Sequence, residues 1–223
     1  MFAYPEILRI QSELIQRRSD KQYAIKGNVD DFFRGREVVV EEKLDGSQAA
    51  VSWKNGKPFL QGKNSHISDF DKRPQYAGFV QWAYENSAKL ELLHGYLVFG
   101  EWLKIRHYIP YDKLPDWFIA FDVYDGKRKK FLNLREKTEF LKSVGLAQSP
   151  ILYSGQVTMK LIESLTIGKP SAFSDSHMEG CIIKDYREQT MVKFVVHEFI
   201  DGIDEDGHWM RHDAKLNKIG VKT

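Results

Sequence analysis

The sequence has one cysteine, Cys181, so it can form neither an internal disulfide nor a cysteine-based zinc cage. No run approaches the ~18–20 apolar residues that a membrane-spanning helix needs. The opening stretch, MFAYPEILRIQSELIQRR, lacks the charged, apolar and small-residue order of a secretion signal. No internal repeat, low-complexity block or Pro/Gly/Ser-rich linker divides the chain. Charge of one sign is also scarce: 33 Lys and Arg against 31 Asp and Glu leave a formal +2. These absences lead us to expect a soluble, cytoplasmic protein with no membrane partner. What is present, 42% hydrophobic and 13% aromatic residues in 223, excludes general disorder and supplies a sizeable core.

Basic residues are gathered locally. Arg34 and Arg36 form one cluster; Lys104, Arg106 and His107 a second; Lys127 to Lys130 a third; and the tail from Arg211 to Lys222 a fourth. The acidic stretch from Asp201 to Asp206 partly offsets them. Any one such cluster is ordinarily solvated surface, whereas a nucleic-acid binder shows a local basic face.

Periodicity divides the chain into elements. Ile7, Leu8, Ile10, Leu14 and Ile15 recur at helical spacing. From Val38 the pattern becomes that of strands, with Asn55-Gly56 as a hairpin turn. Tyr76 to Leu93 returns to helical spacing, YLVFGEW reads as a buried strand, and WFIAFDVYDGKRKKFL reads as a hairpin turning at Asp125-Gly126. Asn133 with Glu136 predicts a capping box for a helix running to Val144, with Gly145 at its C′ position. A short helix is predicted from Val157 to Leu165, then strands at EGCIIKD and TMVKFVV. This irregular order of strands and helices predicts an α+β domain built on antiparallel sheets.

Lys43 carries the chemistry. It follows three valines and two glutamates and precedes Leu44-Asp45-Gly46-Ser47, where a buried strand opens into a glycine turn. Gly46 permits close backbone approach or a conformation other residues resist. Further along, Glu101 ends the strand of Phe99-Gly100-Glu101, Phe121-Asp122 lies in a second aromatic strand, Glu179 and Lys184 bracket EGCIIK, and Lys193 follows. Each alone has a structural explanation; the ordered set does not.

In that set the chain resembles the covalent nucleotidyltransferase superfamily of polynucleotide ligases and mRNA capping enzymes. EKLDGS resembles its nucleophile motif, VFGEW its third, FIAFD the intermediate one, EGCIIK the fourth and MVKF the fifth. FGEW followed by HYIPYDKLPDWFIAFDVYD looks most like the ATP-dependent RNA ligases of bacteria and phages. The resemblance implies a nucleotidyltransferase (ATP-grasp-like adenylation) domain of antiparallel sheets flanked by helices. It implies that Lys43 attacks the α-phosphate of ATP to give a lysyl-AMP. The AMP then passes to a 5′-phosphate end of RNA, and a 3′-hydroxyl end displaces the AMP to seal the strand. Mg²⁺, or Mn²⁺ in its place, would assist.

Carried across by position, Glu179, Lys184 and Lys193 join Lys43 as catalytic residues. Glu101 meets the ribose or the metal, and Phe121 stacks on adenine. Glu179 binds the metal, while Lys184 and Lys193 contact phosphate. Lys63, in QGKNS, meets the nucleotide, and Glu42 reads adenine through its backbone carbonyl. On a regular strand Glu179 and Lys184 would face opposite sides, so Glu179 must sit at the strand's entry if both line one pocket.

Two features depart from the family. Val195 and Val196 stand where RNA ligases often carry a second basic residue, leaving Arg187 or His197 to replace it. The residues after Lys193 are too few for an OB-fold, so 1–223 reads as a single adenylation domain with 195–223 a short helical cap. RNA ends, prepared by an end-healing kinase/phosphatase partner, would then be bound by the domain's own basic surface. The alternatives are a small DNA ligase, a GTP-dependent capping-type guanylyltransferase, and an end-binding module that does not seal. The histidines show no metal-ligand spacing, and Cys181 reads as packing.

Overall fold

The computed structural model describes residues 2–10, 29–196 and 215–220. They form two compact units, one comprising the described parts of 6–44 and 150–213, the other those of 1–5, 45–149 and 214–223. Among the described residues no helix is long and apolar enough to cross a membrane.

The first unit is built on a five-stranded sheet ordered β1-β11-β10-β2-β9. Its strands are β1 (Leu8–Arg9), β2 (Val38–Glu42), β9 (Ile151–Gly155), β10 (Gly180–Asp185) and β11 (Thr190–Val195). β10 runs antiparallel to both β2 and β11, whereas β1 pairs parallel to β11. Strand alternation explains its two faces. Val38, Val40, Cys181, Ile183, Val192 and Phe194 bury one face, packed with Phe33 of α1 (Val29–Phe33) and Ile162 of α5 (Met159–Thr166). Burial pushes the Cys181 thiol far up, as an inert packing residue requires.

The second unit holds a six-stranded sheet ordered β5-β4-β3-β6-β7-β8. These strands are β3 (Ser47–Lys54), β4 (Lys57–Gly62), β5 (His66–Ile67), β6 (Tyr96–Trp102), β7 (Phe118–Asp125) and β8 (Lys130–Phe131). One face buries Ala49, Val51, Val98, Ala120 and Val123 in a core shared with Phe79, Trp82, Leu141 and Val144. Those last four come from α2 (Phe79–Glu85) and α4 (Leu134–Val144), while α3 (Ser87–Leu90) adds Leu90. On the other face, residues 2–4 lie across the sheet: Phe2 stacks on Tyr124 at 3.9 Å and Tyr4 donates its hydroxyl to Asp122.

Most predicted elements occur where local chemistry dictates them. Asn133 and Glu136 make the reciprocal capping box, and Gly145 closes α4 at φ 74°. Asn55 and Gly56 turn the β3–β4 hairpin with φ of 52° and 74°. Three expectations need correction. Leu8 and Arg9 are a strand, not helix, because β11 offers them an open edge and Ile10 donates its amide to the Lys193 carbonyl; 11–28 lie outside the described residues. The single helical run from Tyr76 breaks at Asn86 into α2, α3 and a 3₁₀ turn. The β7–β8 hairpin turns over 126–129 rather than at Asp125-Gly126, with Asp125 capping the turn amides of Lys127 and Arg128.

Within 195–223, Val195 belongs to β11, Val196 is buried just after it, and 215–220 is bridged to the 103–114 loop. The rest of that predicted helical cap, His197 included, lies outside the described residues.

Candidate active site

The first unit gathers its candidate residues at the end of β2. Glu41 is level with Ile182 and Glu42 with Cys181, and the Lys43 amide continues the ladder onto the Gly180 carbonyl at 3.0 Å. Alternation then places Glu41 and Lys43 on the face opposite the apolar core. Ile182, Lys184 and Lys193 share that face, since Ile182 is level with both Glu41 and Lys193. The Lys43 Nζ donates to Glu179 Oε2 at 2.6 Å, with the carboxylate mostly buried and the amine a quarter exposed.

Glu179 reaches Lys43 because it precedes β10 rather than lying in it. Gly180 follows at φ 152°, and a Cβ there would stand 2.0 Å from the Phe194 carbonyl oxygen. Only glycine permits this close approach, which frees Glu179 from strand alternation. The Val196 amide fixes the Glu179 carbonyl at 2.9 Å. Val195 and Val196 are themselves buried, so no cationic side chain stands directly after Lys193. Arg187 is exposed in the β10–β11 turn, where its amide bonds Asp185.

Lys184 is 1% exposed and donates to Glu41 Oε2 at 2.9 Å, with Glu41 also 1% exposed. The Tyr186 hydroxyl adds a 3.3 Å bond to Glu41 Oε1. Sequence reasoning missed Glu41, although its position two residues before Lys43 in a strand places both on one face.

Glu42 points the other way and accepts from the Ala172 amide at 2.9 Å. Burial raises its carboxyl above the ordinary carboxylate value, against the hydrogen bonds from Ser171 and Ala172 that lower it. The folded state therefore holds this proton more tightly than the unfolded chain. The corresponding stability is complete below the ordinary carboxylate pKa and is lost as pH rises through the raised folded value. As pH rises above the ordinary carboxylate range, the urea midpoint of the wild type should fall relative to that of Glu42→Gln, which cannot titrate there. Parallel profiles for the two proteins would refute this.

The second unit carries Glu101, Phe121 and Lys63. Glu101 lies on β6, level with Gln48 and Ile119, and Lys63 is exposed just beyond β4. Phe121 is the extra residue of a β-bulge: Phe99 pairs with Asp122 and Gly100 with Ala120, leaving Phe121 between them. A bulge leaves ladder groups unsatisfied and re-aims its side chain. Here the Phe121 carbonyl accepts from Lys137 Nζ at 2.8 Å, from a lysine with 0% exposure. The half-buried Phe121 ring meets Tyr4 edge-on at 5.1 Å.

Asp45 fastens the start of β3 to the loop after β6. Its Oδ2 accepts from the amides of Tyr108 and Ile109 at 2.8 and 2.9 Å, while its own amide donates to the Tyr111 hydroxyl. His107 Nε2 is 3.2 Å from Ser47 Oγ. Gly46 is required by close approach, for a Cβ there would meet Leu103 Cδ2 at 2.6 Å and the Trp102 carbonyl at 2.8 Å.

Among the described residues no group of three or more His, Cys, Asp or Glu side chains is gathered for a metal. Mg²⁺ commonly sits on one or two carboxylates together with substrate phosphates, and a hard carboxylate such as Glu179 fits that mode.

Comparison with known proteins gives the fold and the family. No curated protein matches the chain. Among solved structures, a Naegleria gruberi RNA ligase variant with ATP and Mn is similar at TM-score 0.64 and 21% identity, over 78% of this chain and 53% of that one. The same organism's RNA ligase with PPi is similar at TM-score 0.64 and 20% identity, over 91% of this chain and 62% of that one. A variant with AMP and Mn is similar at TM-score 0.60 and 19% identity, over 78% and 53%. This chain thus spans between 53% and 62% of the length of those structures, and the likeness establishes a shared α+β fold. The RNA ligase family model matches residues 36–195, from the start of β2 through β11. The chain belongs to the RNA ligase family.

Proposed function

We propose that this protein is an ATP-dependent RNA ligase whose nucleotidyltransferase domain adenylylates itself on Lys43. The observation that carries the reading is the 2.6 Å bond from Lys43 Nζ to Glu179, on the polar face shared with Lys184 and Lys193. An amine must shed a proton before it attacks phosphorus, and Glu179 Oε2 is the acceptor toward which the Lys43 amine points. The amine forms the N–P bond at the α-phosphate of ATP as the bond to the β-phosphate breaks and pyrophosphate leaves. AMP then passes to the 5′-phosphate of RNA, and attack by a 3′-hydroxyl releases it as the strand closes.

Lys184 and Lys193 offset phosphate charge in these transfers, where positioning and electrostatics supply most of the catalysis. Bound Mg²⁺ or Mn²⁺, with Glu179 as a protein ligand, would supply charge neutralisation at the phosphates. On the other unit, Glu101 is assigned to the ribose or to a metal, Phe121 to adenine stacking and Lys63 to the nucleotide. Glu42 is assigned to adenine through its backbone carbonyl.

Intact mass after incubation with ATP and a divalent cation tests the reading, alongside GTP and the untreated protein. A gain of one AMP from ATP alone is expected, or an untreated mass already carrying it. A GMP adduct would move the reading to capping chemistry. An unmodified mass throughout would leave an end-binding module that does not seal. With the adduct in hand, 5′-phosphorylated RNA should be joined in preference to DNA.

A further inference from the structure

Two basic clusters that are far apart in sequence are brought together within the second unit. Residues 215–220, KLNKIG, lie along the loop 103–114 that follows β6, with isolated bridges joining Ile105 to Leu216 and Leu114 to Ile219. The Arg106 amide donates to the Lys215 carbonyl at 2.9 Å, the Asn217 amide to Lys104 at 3.1 Å, and the Lys218 amide to Tyr111 at 2.9 Å. Asn217 is the rivet: buried to 4% exposure, its side chain accepts from the Tyr111 amide and donates to the Leu103 carbonyl.

The arrangement opposes like charges. Lys104, Arg106, Lys113, Lys215 and Lys218 meet on these two segments, with Asp112 the one carboxylate within either. Lys104, Arg106, Lys215 and Lys218 form no ion pair with any described carboxylate. Like charges directly opposed across paired backbone are unfavourable unless something neutralises them. By contrast, Arg128 in the β7–β8 turn is held by Asp125 and Glu136 at 2.6 and 2.7 Å, which makes that cluster part of a local network. The ledge is also anchored to the start of β3, because Asp45 holds the Tyr108 and Ile109 amides of the same loop.

We propose that this ledge, with Lys104 and Arg106 on one segment and Lys215 and Lys218 on the other, binds the phosphodiester backbone of the RNA strand to be joined. The inference rests on the ligase reading for its choice of polyanion, and it supplies the end-binding surface which that reading needs. Cations tracking a backbone confer affinity without sequence preference and make binding salt-dependent.

The test measures binding of a 5′-phosphorylated single-stranded RNA oligomer across a salt series. The proteins are wild type, K104Q/R106Q, K215Q/K218Q, the quadruple variant, and K127Q/K129Q/K130Q in the β7–β8 turn. With about 0.7 in log–log salt slope per single-strand phosphate contact, each pair should flatten the slope by about 1.4 and the quadruple by about 2.8. The turn variant should leave it at the wild-type value. Equal flattening by the turn variant, or unchanged slopes for both pairs, would overturn the ledge. Thermal melting of each variant separates loss of fold from loss of contact. Binding is read without ATP and AMP uptake separately, so an absent lysyl-AMP would sink the ligase reading while the salt slopes still judge the ledge.

Discussion

Lys43→Ala is expected to end AMP uptake, lowering the rate at least ~10⁴-fold, as removal of a covalent nucleophile does. Lys43→Arg is the sharper variant. The guanidinium keeps a positive charge beside Glu179, whose side chain is only 9% exposed. It stays protonated at any working pH, and so cannot attack phosphorus. Lys43→Arg should therefore melt close to the wild type yet gain no AMP in intact mass. Supplied with RNA that already carries a 5′-linked AMP, it should retain measurable joining, because that step needs phosphate positioning by Lys184 and Lys193 but no lysine nucleophile. AMP uptake by Lys43→Arg would place the nucleophile elsewhere.

The second large effect is at Glu41. Glu41 and Lys184 are each 1% exposed and paired at 2.9 Å. Removing one partner of a buried pair leaves an uncompensated buried charge and costs ~3–5 kcal/mol. For a chain of this size that lowers Tm by roughly 10 °C, so Glu41→Ala should be among the most destabilising single changes in the five-stranded sheet. Replacing both, as Glu41→Leu with Lys184→Met, should recover most of the stability, since apolar groups of similar volume fill the space. The recovered protein should still fail to join RNA, because it lacks the Lys184 charge. Calorimetry with a joining assay reads both halves. A double variant as unstable as Glu41→Ala would show that the pair is not what makes the site costly to alter.

How far the sequence could be read differs from residue to residue, for physical reasons. The Asn133–Glu136 capping box and the Asn55-Gly56 turn were legible because each is closed by bonds a few residues apart. The nucleophile motif and the strand carrying EGCIIK were legible as an ordered set. β1 was not: Leu8 and Arg9 have helical spacing, but their pairing lies nearly the whole chain away on β11. β9 escaped for the same reason, as Ile151–Gly155 is short and receives its pairing from β2. The Phe121 bulge is invisible in FIAFD because it depends on register with β6 and on the buried Lys137. Asn217 sits in a charged tail with nothing local to mark it, and its burial comes from a loop a hundred residues earlier.

The pairing of β1 with β11 also bears on how the protein is made. The six-stranded sheet uses strands that all lie between Ser47 and Phe131, joined largely to their neighbours in the chain. The five-stranded sheet needs Leu8 and Arg9 to await Val192 and Lys193. During synthesis, Leu8 and Arg9 thus leave the ribosome long before the residues that pair with them. Pairings so distant in sequence close slowly and leave strand edges open meanwhile. The nascent chain can complete its β6–β7 scaffold early, and the sheet bearing Lys43 is finished only once β11 arrives.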